Sequence, residues 1–279
     1  MSKNYFDKSF ELRYFEMNEF GVASPTTMLT LLEETAAEHC QSINNSLYQL
    51  ADKNIGWVLI SGIMQMERYP KYKEKITIRT WMSKYSSIKG FRENIIYDEK
   101  NNIIGRAKGL WIFFDIARRR PTQIFEEIKE KWSESNDLSI RADISKKIEP
   151  IDVADFQLSF KVNRYDTDMI RHVNNIRYLQ WVVESIPDEI INNYYLYSID
   201  GRFVSEAHYG DNIISLTKEL EKSKSEKNDL KHYSHTIKKN STNKNCAIAN
   251  TVWKKYKNER TTLYKRNAGR SAEKERYNN

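Results

Sequence analysis

Cysteine, proline and glycine are scarce in this chain. Its two cysteines, Cys40 and Cys246, are far apart and lie outside any CxxC pattern. Neither a disulfide framework nor a Cys/His zinc site is indicated, and both thiols are expected to be reduced and partly buried. With 5 Pro and 9 Gly in 279 residues, the chain is neither collagen-like nor low-complexity. No apolar run reaches the ~18 residues that a membrane span needs. The opening "MSKNYFDKSFELRYFE" has no signal-peptide core and no transit segment, so a cytoplasmic location is expected. The sequons at Asn44 and Asn240 then read as chance matches. P-loop, dinucleotide GxGxxG and HExxH patterns are missing, and nothing requires a metal or an organic cofactor.

Aromatic residues are abundant: 17 Tyr, 11 Phe and 6 Trp, within a hydrophobic fraction of 39%. This composition fits an ordered globular protein, not a disordered one. The net charge of +7 suggests an acidic partner, but five of those charges fall between Lys255 and Asn279. That basic polar tail, residues 257–279, is expected to be disordered, and the rest of the chain carries mixed charge. Total charge therefore gives no argument for nucleic acid.

The chain repeats itself. "RYFEMNEFGVASPTTMLTLLEE" from Arg13 lines up with "RYDTDMIRHVNNIRYLQWVVES" from Arg164. Each runs from Arg-Tyr through a polar loop into an amphipathic helix. Ser24 and Pro25 suit the N-cap and first turn of the first helix; Asn174 or Asn175 caps the second. Met28, Leu31, Leu32, Thr35, Ala36 and Cys40 mark the buried stripe of the first helix. Ile176, Leu179, Val182, Val183 and Ile186 mark that of the second, with a boundary or kink at Pro187. About four strands follow each helix, with turn signals at "DEKNN" (98–102) and "KNSTNK" (239–244). The first half extends over 1–116 and the second over 154–256. Between them, 117–153 reads as a charged linker in which Ile124, Phe125, Ile128 and Trp132 pack one short helix. Its basic run Arg118–Arg120 reads as the solvated end of a strand. The expectation is an α+β protein made of two copies of one module, their sheets placed edge to edge so that an exposed edge strand is covered.

The stretch "DTDMIRHVNN" concentrates polar chemistry before a helix. Taken by itself it could equally be an Asn-capped polar loop with an exposed histidine. A neutral imidazole is also the usual base near pH 7, and a helix start gathers unpaired N–H groups that can bind an oxyanion. "YDTDMIRHVNNIRYLQWVVES" resembles the active-site segment of acyl-acyl-carrier-protein thioesterases, and the resemblance extends from about Tyr5 to Tyr256. It includes "GWVLISGIMQMERYP" and the closing "AIANTVWKKY". It implies a tandem (double) hot-dog fold, two antiparallel sheets each wrapped round a central helix. It further implies hydrolysis of fatty acyl-acyl-carrier protein by water activation on His172, with Asp168 and Glu206 positioning the base and the water. Glu206 is expected on a strand near the cavity mouth. Asn174 and Asn175 are candidates for oxyanion binding or water positioning.

The sequence departs from the family pattern at two positions. The family's Asn between Asp168 and His172 is Ile170 here, and the cysteine that plant members carry after the glutamate is Ala207, which excludes a thiol nucleophile at that place. The first repeat has no matching histidine and reads as catalytically silent, its Met28, Leu31, Leu32, Trp57, Met64 and Met66 shaping the acyl tunnel. His39 reads as a helix-face residue. Acyl carrier protein is the implied partner, with Arg171 and Arg177 among the basic residues that could receive it; a homodimer is left open. The alternatives are an acyl-CoA thioesterase of the same fold and a non-catalytic acyl-binding protein.

Overall fold

The computed structural model describes residues 5–168, 171–221 and 229–256. Eleven strands form one antiparallel sheet, ordered β1-β3-β4-β5-β2-β8-β11-β10-β9-β7, with β6 attached to β5. The first five are β1 (Phe6–Glu11), β2 (Ile55–Met66), β3 (Lys75–Tyr85), β4 (Lys89–Asp98) and β5 (Ile103–Asp115). Then come β6 (Arg120–Pro121), β7 (Phe156–Lys161), β8 (Tyr194–Phe203), β9 (Asn212–Glu219), β10 (Leu230–Lys239) and β11 (Asn245–Lys255). The helices are α1 (Pro25–Ser42), α2 (Leu47–Asp52), α3 (Glu126–Lys131), α4 (Asn175–Glu184) and α5 (Asp188–Asn193). None among the described residues is long and apolar enough to cross a membrane. The expected tail at 257–279 lies outside the described residues.

The repeat is visible at the level of elements. β1 and β7 start 150 residues apart, as do α1 and α4 and the isolated bridges Met17–Ala23 and Thr167–Val173. The two sets of strands meet where β2 pairs antiparallel with β8, from Ser61–Arg202 to Gln65–Ser198. The expected edge-to-edge placement is thus a shared hydrogen-bonded ladder, and neither β2 nor β8 is left as an open edge. Gly62 faces Gly201 at this seam, and the absent side chain at Gly201 makes room for Leu179 of α4, whose Cδ2 lies 3.2 Å from where a Cβ would stand.

Local chemistry explains the helices. Ser24 Oγ accepts from Thr27 N–H at 3.0 Å, and Pro25 occupies a position where its missing N–H costs nothing. Asn174 caps α4 by accepting from Ile176 N–H at 2.8 Å. Met28, Leu31 and Leu32 of α1 and Tyr178, Leu179 and Val182 of α4 enter one continuous core cluster. Each such buried side chain contributes about 1.5–3 kcal/mol. α4 stops at Glu184, and Pro187 opens α5, as the boundary signal predicts.

The segment between the repeats packs more than expected. Ile124, Ile128 and Trp132 bury beside Cys40, Leu50 and Phe113, while Ile140 and Ile144 bury against Ile63 and Leu110. Buried Glu93 anchors it: its carboxylate accepts from Ser139 N–H (3.0 Å) and Oγ–H (2.6 Å) and lies 3.3 Å from Lys108 Nζ. His39 lies on the buried face of α1, receives a hydrogen bond at Nδ1 from Arg92 Nη1 at 2.9 Å, and sits between Phe6 and Trp132.

Candidate active site

A cavity of about 570 Å³ opens beside the start of α4, within the range of small-molecule sites. Its walls come from both repeats. Ala36, Cys40, Trp57, Leu59 and Trp111 give an apolar lining; Asp168, His172, Asn174, Asn175 and Glu206 border it on the polar side. Leu32 and Met64 line a smaller adjoining pocket that shares Glu33, Leu59, Trp111 and Asn175 with the first. Of the expected tunnel residues, Trp57, Leu32 and Met64 therefore face open space. Met28, Leu31 and Met66 belong to the same core cluster as Leu32 and Met64 but border neither open space.

His172 is held by two short segments tied together. The loop before α4 folds back on itself: Asp168 N–H donates to His172 O at 2.9 Å and His172 N–H donates to Asp168 Oδ1 at 3.2 Å. Arg171, between them, adopts a left-handed φ of 64°, a conformation that costs a non-glycine residue on the order of 1–3 kcal/mol. The second segment follows β8. Fully buried Ala207 donates its N–H to Tyr178 Oη at 2.8 Å and accepts from Val173 N–H at 3.0 Å. This fixes its neighbour Glu206, whose Oε1 lies 3.3 Å from His172 Nδ1.

Glu206 is off the strand on which the sequence reading put it. β8 ends at Phe203, and Val204 and Ser205 both direct their N–H groups at Cys246 O, so the ladder has ended and the chain turns toward the loop. The basic run Arg118–Arg120 is exposed at the turn after β5, as its reading expects, but one member also reaches the site. Arg119, with a left-handed φ of 51°, reaches Glu206 Oε2 at 2.7 Å and borders the cavity. Glu206 thus bridges a guanidinium and an imidazole, one oxygen to each.

The two asparagines have defined roles in the framework. Asn174 spends its Oδ1 on the α4 cap, and Asn175 Nδ2 donates to Leu59 O at 3.1 Å, at the bulge in β2. Asp168 accepts through Oδ1 from the backbone N–H of His172. Ile170, the departure from the family pattern, lies outside the described residues. Burial raises both thiols above the usual range, and Cys246 accepts from Ser205 Oγ. Glu33 of α1 and Arg119 escaped the sequence reading. Glu33 had a signal, an acidic side chain on the stripe Leu29–Glu33–Ala36–Cys40; Arg119 had none, since its contact spans 87 residues of separation.

His172, Glu206 and His208 form a group whose ligand atoms lie within 4.8 Å of one another, but the Arg119 guanidinium already occupies one Glu206 oxygen, and its positive charge opposes a cation there.

Comparison places this arrangement among known proteins, first by fold. The 12:0-ACP thioesterase from Umbellularia californica superposes with a TM-score of 0.80 at 20% identity, covering 92% of this chain and 96% of that one. An acyl-ACP thioesterase from Bacteroides thetaiotaomicron gives 0.79 at 17% identity, covering 90% and 98%. At these identities the likeness is one of fold. Sequence is more specific. The acyl-ACP thioesterase N-terminal domain model matches residues 3–132, and the C-terminal domain model matches 149–255. The chain belongs to the acyl-ACP thioesterase family. It is 28% identical over 231 residues to the chloroplastic oleoyl-acyl carrier protein thioesterase of Coriandrum sativum, and 27% over 226 residues to the palmitoyl-acyl carrier protein thioesterase of Gossypium hirsutum. These matches cover 76% of this chain but 62% and 54% of those proteins.

Proposed function

We propose that this chain is a thioester hydrolase with a double hot-dog fold that cleaves fatty acyl-acyl-carrier protein into free fatty acid and carrier protein. The observation that carries this reading is the His172–Glu206 contact at the mouth of a largely apolar cavity. The family match and the names of the plant relatives support the substrate class. In neutral His172, Nδ1–H donates to Glu206, which leaves the lone pair of Nε2 as the base. Water gives its proton to Nε2 as it attacks the thioester carbon. The tetrahedral oxyanion is favoured by the positive end of the α4 dipole at the cavity wall. On collapse the C–S bond breaks, and the departing thiolate takes the proton from His172. Arg119 keeps the Glu206 carboxylate turned toward the ring, and the loop hydrogen bonds of Asp168 set the place of His172. Metal and organic cofactor have no part in this scheme.

Acyl carrier protein, as an acidic partner, is received by basic side chains around the mouth, including Arg119 and exposed Arg171. A cytoplasmic monomer or homodimer fits this role. The test is to incubate the protein with acyl-carrier proteins and with acyl-CoA of matched chain length, measuring free thiol and fatty acid. Faster release from the carrier protein is expected; release from neither substrate would overturn the assignment.

A further inference from the structure

The cavity contains one acidic side chain that this scheme does not use. Glu33 lies on α1, where Leu29, Leu32 and Ala36 surround it on the face that borders the open space. It comes from the first repeat, whereas Asp168, His172 and Asn174 come from the second, and all four border the same cavity. Asn174 stands between the two. Its Oδ1 accepts from Ile176 N–H, and its amide is near enough to Glu33 to favour the charged carboxylate.

The cations round Glu33 are directed to other partners; Lys108, from β5, lines the adjoining pocket but pairs with Glu93. Asp168, from the loop before α4, adds repulsion. Arg92, from β4, borders the cavity but directs Nη1 to His39 and Thr80. Arg119, from the segment after β5, is paired with Glu206. His172 completes the set of neighbours from the loop. Burial, which outweighs the Asn174 hydrogen bond, and the Asp168 charge together raise the Glu33 carboxyl to about 7. A neutral carboxyl has an O–H to donate, the group that a developing oxyanion needs in a site shielded from water.

Building on the hydrolytic reading above, we propose that Glu33 is a further catalytic residue, donating a hydrogen bond through its carboxyl O–H to the thioester carbonyl oxygen as that oxygen gains charge. Its proton stays on Glu33 throughout; the proton that moves is the one His172 takes from water and returns to sulfur. The first repeat, without a histidine at the position that matches His172, then contributes to the machinery through Glu33.

The test uses the full chain with Glu33→Gln and Glu33→Leu, measuring kcat and KM on acyl-carrier protein from pH 5 to 9. Leu removes the donor, so kcat falls on the order of 10²–10³-fold, the loss seen for one oxyanion donor, with KM changed only a few-fold. Gln keeps an N–H donor and the shape of the side chain. It retains most of kcat, and the decline of kcat as pH rises through about 7 disappears. Wild-type kcat in the Leu variant, or an unchanged alkaline decline in the Gln variant, would overturn the proposal while leaving the hydrolytic reading intact. No turnover by the unmodified protein would overturn both.

Discussion

At the level of single residues the site rests on Glu206 serving two partners. Its Oε2 binds Arg119 and its Oε1 meets the His172 ring. Arg119→Ala leaves that carboxylate free to swing, so kcat is expected to fall several-fold with the fold unchanged; steady-state kinetics beside a circular dichroism spectrum checks this. Both thiols are buried, so the double variant Cys40→Ala with Cys246→Ala should keep turnover within about twofold of the unmodified protein per folded molecule. Loss of all activity there would point to a thiol nucleophile. Asp168, His172 and Glu206, which border one cavity, were singled out in the sequence through the motif of the family it resembles. Arg119 could not, because a contact between a linker and a distant loop leaves no periodic or spacing signal. Glu33 was hidden for a different reason: one acidic residue on a helix reads as solvated until the cavity beside it is known.

Helices and strands were the most legible level, and they are where the caps matter. Ser24 and Asn174 each satisfy a first-turn N–H, so Ser24→Ala should lower unfolding free energy by about 1 kcal/mol in urea titration. Asn174→Asp separates cap from catalysis. It keeps an oxygen for Ile176 N–H but removes the amide NH₂ near Glu33 and adds negative charge. Stability should then hold within about 0.5 kcal/mol while kcat falls. The strands Lys75–Tyr85, Ile103–Asp115 and Leu230–Lys239 follow directly from alternation and turn residues. Glu206 was misplaced on a strand because "RFVSEA" continues the β-like pattern of β8, whereas the register ends where Val204 and Ser205 share one acceptor, Cys246 O. Burial of Ile140 and Ile144 was missed as well, since isolated apolar residues in a charged segment have no period.

Over the whole molecule, the repeat and the edge-to-edge placement of its sheets were legible, but which strands meet was not, because the pairing of β2 with β8 is made by backbone groups that every sequence carries. The fold buries two neutral imidazoles whose ionisation would disrupt it. Burial and the Arg92 charge lower His39 to about 2, and burial lowers His235 to about 3. Their folded values lie below the unfolded value near 6.5, so the stability they contribute is complete above that pH and is lost as pH falls toward 3. Glu33, raised to about 7, acts with the opposite sign: its contribution is complete below about 4.5 and is lost as pH rises through 7. Between pH 4.5 and 6.5 Glu33 offsets part of the effect of the two histidines; below 4.5 that offset is gone, and lowered carboxylates such as Asp98 add to the loss, so stability falls more steeply with acid. Urea unfolding at a series of pH values should show that steepening, and a single slope throughout would contradict it. The central claim, that His172 activates water against a thioester bound in this cavity, is tested most directly by measuring free thiol and fatty acid released from acyl-carrier protein by the unmodified chain and by His172→Ala. The account predicts turnover by the first and a loss of at least 10²-fold in the second. Equal rates from the two proteins would contradict it.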